Sequence, residues 1–341
     1  MPFVNELGLS VPIVAAPMAG GPTTPELVVA ADRAGGIGFL AAGYLSAEAV
    51  KAKIDAVRRE TSRFGVNLFA PNPVPVDRAA YQAYRETLRA DAEQLGVTVP
   101  DVPVEDDDAW RDKIDLLIDV PVPVVSFTFG VPKRAILDAL RAVGSLLVQT
   151  VTSADEARLA AAAGVDALAV QSSAAGGHWG TLTPRQPPSP QARIELLVTE
   201  VSAASELPIV AAGGIADPAT VRAALVAGAA VVAVGTALML SPEAGTSDTH
   251  RAALSEGDRS TVVTKAFTGR PARGLRNAFI DRYDAVAPFG YPALHHLTSP
   301  IRRAAAAAGD PELVHLWAGT GYRVATTDPA EIIMRQLAAE L

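Results

Sequence analysis

The sequence predicts an α/β fold: a (β/α)8 (TIM) barrel with a smaller capping region inserted after strand eight. Three observations carry that expectation. Eight short runs rich in Val, Ile, Leu and Ala lack strict alternation, as parallel strands buried on both faces do. Helical patterns fall between the runs, the order that builds an α/β fold. One αβ unit also repeats: Ser153 to Arg158, through Gly164 to Ala169-Val170, matches Asp217 to Arg222, through Gly228 to Ala233-Val234. Each copy opens on an N-cap residue and stops at Ala-Gly, followed by a buried strand. A doubly wound open sheet is the alternative arrangement, but it usually has fewer strands.

The strands start near Val11 (VPIVAAPM), Gly36 (GIGFLAAG), Phe64 (FGVNLFA), Val122 (VPVVSFTFG), Ser145 (SLLVQTV), Asp166 (DALAVQSS), Leu207 (LPIVAAGGI) and Ala230 (AVVAVGTALM). The helical patterns cover Pro25–Ala34, Ala47–Glu60, Asp77–Leu95, Pro132–Val143, Ala154–Ala163, Gln191–Ser205 and Pro218–Ala227. Residues 71–108 are rich in Pro and Asp and read as an elaborated connection between strands three and four, with no element assigned over 109–121. Residues 1–240 then form the barrel, closed by a C-terminal helix in 321–341 (Pro329–Leu341). Residues 241–320 contain no obvious barrel unit and hold Phe279, Tyr283, Phe289 and Tyr291. They are expected to pack over the barrel mouth as a capping and substrate region.

The chain has 341 residues, no Cys and a formal net charge of −8. Zero Cys excludes a disulfide scaffold, Cys-ligated metal and a thiol nucleophile. The acidic balance disfavours nucleic acid as a partner, because no basic excess exists to neutralise phosphates. The most membrane-like stretch, Ala224–Leu240, is shorter than the roughly 20 residues a spanning helix needs and is interrupted by Gly228 and Gly235, so a buried strand fits better. The first residues show no secretion signal, and the expected compartment is the cytoplasm.

Chemistry in such a barrel sits at the C-terminal ends of the strands. Asn67 and Gln171 put amides there, either for a network between strands or for the polar ring of a ligand. Gly213-Gly214 and Gly235-Thr236 end strands seven and eight, where backbone N–H groups bind phosphate. The loop from Gln171 to Gly180 contains Gly176, Gly177 and His178. A histidine at that position serves as a general base, a neutral donor or a cationic partner for an anion. His295 and His296 are adjacent and do not share a face, so no metal pair is expected. His250 and His315 read as surface residues. No HExxH, GxSxG or strand-following GxGxxG motif is present.

Five segments together carry a resemblance: Ala16-Pro17-Met18, Phe64 to Phe69, Ala174 to His178, Ala211 to Ile215, and Val234-Gly235-Thr236. With Thr268 to Arg273 and Leu316 to Gly319, they resemble, in order and over nearly the whole chain, the nitronate monooxygenases. The resemblance implies an FMN-binding barrel acting on a small-molecule substrate with O2, as a monomer or homodimer. Pro17 and Met18 would line the flavin ring, and Asn67 and Gln171 would hydrogen-bond it. Gly176, Gly214, Gly235 and Thr236 would hold the ribityl phosphate. Ala16, Ala175, Gly177, Gly213, Ala233 and Val234 complete the implied cofactor-binding set, and His178 matches the family's active-site histidine. The chain departs from the family pattern at Ala233, often Gln, and at Gly319-Thr320-Gly321, usually Gly-Gln-Gly. The implied reaction is oxidation of an alkyl nitronate to a carbonyl compound and nitrite. The alternatives are an NAD(P)H-dependent FMN reductase of the enoyl-ACP reductase II or quinone reductase type, and a non-catalytic phosphate- or flavin-binding protein.

Overall fold

The computed structural model describes residue 4, residues 7–186 and residues 193–341. Eight parallel strands close into a barrel: β1 (Ile13–Ala15), β2 (Ile37–Ala41), β3 (Phe64–Ala70), β4 (Val124–Phe129), β5 (Leu146–Val151), β6 (Ala167–Gln171), β8 (Ile209–Ala212) and β9 (Val231–Val234). The seam is β9 against β1, with Ala15 opposite Val234. All eight expected strands are present. Strand β7 (Gly177–His178) lies outside the barrel, in a three-stranded sheet with β10 (Thr261–Thr264) and β11 (Ala272–Leu275).

Alternation along the strands divides the core in two. Outward residues such as Ile13, Val66, Leu68, Val232 and Val234 pack under the helices. Inward residues Val14, Ile37, Phe39, Val124, Val148 and Val231 fill the barrel's lower interior. Gly65 makes room there for Phe39: a Cβ on it would lie 2.3 Å from the Phe39 ring.

The wall helices are α1 (Pro25–Arg33), α2 (Ala47–Arg58), α5 (Trp110–Asp119), α6 (Arg134–Ala142), α7 (Ala154–Ala163), α8 (Ile194–Ser202), α9 (Pro218–Val226) and α13 (Ala330–Leu337). The repeat holds in detail. Ser153 accepts from Glu156 N–H and Asp217 from Thr220 N–H, and Gly164 and Gly228 have φ of +93° and +114°. Helix α13 buries Ala330, Ile333, Met334 and Leu337 in the barrel core and completes the wall. The start of the expected Gln191 helix, residues 191 and 192, lies outside the described residues.

The sequence reading missed α5, the crossover helix between β3 and β4. Its Ile114 and Leu117 are buried one turn apart, but the helix follows an acidic run and starts from left-handed Asp108 and Ala109 (φ +59° and +52°). The stretch expected as one helix, Asp77–Leu95, divides at Leu88 into α3 (Arg78–Thr87) and α4 (Arg89–Gln94). These two pack away from the barrel. Tyr81, Tyr84, Leu88 and Ala92 share a second core with Phe267, Phe279, Leu294, Leu297 and Ile301. That core includes α11 (Ala278–Tyr283) and α12 (Ala293–Ala307), and Tyr84 OH donates to Ala266 O at 2.6 Å. Helix α10 (Asp248–Glu256) contributes Ala253 and Leu254 to the same core.

Candidate active site

A cavity of about 550 Å³ lies between the C-terminal ends of the strands and the 239–321 segment. The expected residues Ala16, Pro17, Met18, Asn67, Gln171, Ala175, Gly176, Gly177, His178, Gly213, Gly214, Ala233, Gly235 and Thr236 all line it. Val234 does not: strand alternation turns its side chain outward into the helix-facing core.

The glycines converge on one corner. Gly213 and Gly214 have φ of +106° and +75°, conformations that L side chains rarely adopt. A Cβ on Gly176 would lie 2.6 Å from Gly319 N. Gly319 N–H in turn donates to Thr236 Oγ1 at 3.0 Å. Thr236 opens a 3-10 turn, whose first backbone N–H groups have no acceptor within the turn. The corner therefore presents bare backbone around a small volume. Thr320, the departure from the family pattern, is exposed, and its N–H donates to Ala174 O at 3.0 Å.

The two amides play different parts. Asn67 Oδ1 accepts from Ser126 Oγ (2.8 Å) and Thr128 Oγ1 (3.1 Å), which leaves its NH2 as the group available to a ligand. Gln171 closes its own loop: Oε1 accepts from Gly180 N–H at 2.7 Å and Nε2 donates to His178 O at 3.2 Å.

His178 is held in an aromatic box. Its ring centroid lies 5.8 Å from Phe129, 5.7 Å from Tyr291 and 5.6 Å from Trp317. Its Nε2 is 2.9 Å from Thr268 Oγ1. Burial, reinforced by the Arg270 and Arg302 charges, pulls its pKa down to about 3. The imidazole is thus neutral at ordinary pH.

Two histidines contradict the sequence reading. His250 is 8% exposed and His315 forms part of the cavity wall, so neither is a surface residue. His250 lies on the inward face of α10, and His315 sits between the core residues Val314 and Leu316. Burial lowers the pKa of His250 to about 4 and that of His315 well below the usual value. His295 also faces the cavity, stacked on Tyr44 at 4.1 Å, whereas His296 pairs with Asp106 at 2.7 Å. No cluster of three or more metal-binding side chains occurs among the described residues.

Arg302 is the buried cation of the wall, beside the exposed Arg303. Arg302 is 5% exposed and donates to Thr298 Oγ1 (3.0 Å), His295 O (2.7 Å) and the rings of His295 and His315 (3.3 Å each). None of these partners is a carboxylate, and it forms no ion pair among the described residues. A buried guanidinium with only neutral acceptors favours an anion beside it.

The whole-chain comparisons agree with this geometry. Residues 2–340 match the nitronate monooxygenase family. A probable nitronate monooxygenase of Staphylococcus aureus (strain Newman) is 38% identical over 336 residues, covering 97% of this chain and 94% of that protein. The chain belongs to the nitronate monooxygenase family.

Solved structures set the family in a wider group. A nitroalkane oxidase from Streptomyces ansochromogenes superposes with a TM-score of 0.93 at 41% identity, over 100% of this chain and 98% of that one. FabK from Thermotoga maritima superposes with a TM-score of 0.77 at 26% identity, over 99% and 95%. The chain is thus an oxidoreductase of the nitronate monooxygenase family on a (β/α)8 barrel. The sequence reading missed Tyr44, Arg302 and His315 as members of its cavity. Thr268 and Trp317 lay inside quoted motifs, but nothing in their spacing showed that they meet His178. No described helix is long and apolar enough to cross a membrane.

Proposed function

We propose that this protein is an FMN-dependent monooxygenase that oxidises alkyl nitronates, such as propionate 3-nitronate, with O2 to carbonyl compounds and nitrite. The observation that carries the reading is one cavity holding a bare-backbone corner, a neutral boxed histidine and an unpaired buried arginine. The residues fit FMN. Side chains at Gly176 and Gly214 would fill or strain the corner where a phosphate would sit, and the free NH2 of Asn67 suits a carbonyl of a flavin ring. Bound FMN would supply one-electron exchange with the nitronate and O2.

The chain's own residues do the rest. The amides of Gly214, Gly235 and Thr236, with that of Gly176, would hold the phosphate. Met18 and Pro17 would flank the ring. Arg302 draws the anionic substrate into the cavity, where the neutral His178 ring forms part of the wall beside it. Phe129, Tyr291 and Trp317 exclude water around that ring.

The test is aerobic turnover of propionate 3-nitronate by FMN-loaded protein, with nitrite as the readout. His178→Asn is expected to lower turnover of a neutral nitroalkane at least about a hundredfold while FMN stays bound. Absence of nitrite from every nitronate offered would overturn the reading. The similarity to FabK supports a second reading, an NAD(P)H-dependent flavin reductase. Anaerobic mixing with NADH separates the two, because rapid bleaching of the flavin is the outcome only a reductase gives.

A further inference from the structure

The hydrogen bonds around Thr268 bear on which ring nitrogen of His178 carries the proton. His178 Nε2 lies 2.9 Å from Thr268 Oγ1, and either atom could donate. The hydroxyl has a single proton. Thr268 Oγ1 also lies 3.2 Å from the carbonyl oxygen of Arg270, placed to donate to it, and accepts from Arg270 N–H at 3.4 Å. A carbonyl cannot return a proton. Giving the hydroxyl proton to Arg270 O and the imidazole proton to Thr268 Oγ1 is the arrangement that satisfies all three contacts at once; the reverse leaves Arg270 O without the Thr268 proton.

The turn is built to hold that arrangement. Gly269 has a φ of +72°, and a Cβ on it would lie 2.6 Å from Gly290 N. Gly290 N–H donates to Gly269 O at 3.0 Å. The fully buried Arg270 side chain lies 4.0 Å above the Phe129 ring and donates to Thr181 O and Asn72 O. On the other side, His178 pairs with Ala272 across β7 and β11, and its carbonyl is tied to Gln171. Both the ring and its partner are fixed.

We propose that Thr268 is a positioning residue that holds His178 as the Nε2–H tautomer and leaves the Nδ1 lone pair facing the cavity as the base for neutral nitroalkanes. Nδ1 has no hydrogen-bond partner among the described residues, and the ring lines the cavity. With a neutral nitroalkane, the α C–H bond breaks and its proton passes to Nδ1. The electron pair left behind forms the C=N bond of the nitronate, and the negative charge moves to the nitro oxygens. The imidazolium that results lies beside the anion it has made. A preformed nitronate needs no such transfer. This step rests on the nitronate-oxidising reading, but the tautomer does not.

The experiment uses FMN-loaded protein with 15N-labelled histidine, the His178 signals being assigned from their loss in His178→Asn. Long-range 15N–1H spectra distinguish the two neutral tautomers. The expected result is Nε2–H in the wild type and in Thr268→Ser, with Nδ1–H populated in Thr268→Val. In parallel, Thr268→Val is expected to lose at least about tenfold in kcat/KM for a neutral nitroalkane, to change less than about threefold for the matching nitronate, and to be rescued by Thr268→Ser. A wild-type spectrum showing Nδ1–H overturns the proposal, even if Thr268→Val fails to fold. Equal losses on both substrates overturn it too, as does a wild type that consumes nitronates but no nitroalkane. If the wild type consumes neither substrate, the nitronate-oxidising reading fails and the proton transfer with it, while the spectrum still decides the tautomer.

Discussion

Acidification should unfold this protein through its histidines. His178 and His250 are neutral in the folded chain, with pKa values lowered to about 3 and about 4 from an ordinary 6.5, burial being the larger cause in each. The unfolded chain takes up a proton on each as pH falls through 6.5, while the folded chain does not. Between 6.5 and the folded value the unfolded state binds more protons, so stability falls as pH falls and levels off only below the folded pKa. At pH 5 the gap from 6.5 is 1.5 units, which costs about 2 kcal/mol per histidine, or about 4 kcal/mol for the pair. That is a large share of a typical total of about 5–15 kcal/mol. His295 and His315 are lowered as well and act in the same direction. The assay is the urea midpoint from pH 7.5 to pH 5, for the wild type and for His178→Asn/His250→Asn. The wild type should lose stability steeply below pH 6.5, and the double variant should have a slope shallower by about two protons. A flat wild-type profile, or an equal slope in the double variant, would refute the reasoning.

Three other substitutions probe separate parts. Glu156 accepts from Thr152 N–H (2.6 Å), Thr152 Oγ1 (2.8 Å), Thr181 Oγ1 (2.6 Å) and Leu182 N–H (2.7 Å). In Glu156→Gln the amide NH2 must face one backbone N–H, so stability should drop by about 1–3 kcal/mol in urea unfolding, with a fall in turnover because Thr181 O anchors Arg270. Gly214→Ala forces a Cβ at φ +75°, 3.1 Å from Ala174 Cβ; about 1–2 kcal/mol of strain and weaker FMN binding are expected in a fluorescence titration. Unchanged affinity there would move the phosphate elsewhere. Arg302→Met should raise KM for propionate 3-nitronate about tenfold, or ~1.4 kcal/mol, with flavin content unchanged. Equal KM values would remove Arg302 from substrate binding.

Much of this was legible in the sequence because barrels write themselves locally. Each strand is a short apolar run, each helix has a cap and a glycine stop, and the chemistry gathers at the strand ends. The 64-residue repeat even fixed two caps. What stayed hidden depends on contacts distant along the chain. Helix α5 follows an acidic run that hides its short apolar stripe. His250 and His315 look like isolated polar residues until the second core closes over them. Thr268 meets His178 across 90 residues, and Arg302 reaches the cavity from within helix α12. The outward turn of Val234 was legible too: period-two alternation sets its side chain opposite to the inward Ala233, which leaves only its backbone to meet a ligand.

The strand carrying His178 is paired to β11, which lies within residues 241–320 rather than in the barrel. The 241–320 segment and His178 are therefore stitched together. Swinging that segment open as a rigid flap would pull His178 off its hydrogen bonds. The stitching also limits how relatives can be recombined. Grafting a foreign 241–320 segment to alter substrate choice would change Thr268, β11 and the seat of His178 in one stroke. A one-residue slip in that short pairing would present the opposite strand face to the cavity. The seat of His178 and the fold of that segment are thus inherited through the same few backbone hydrogen bonds.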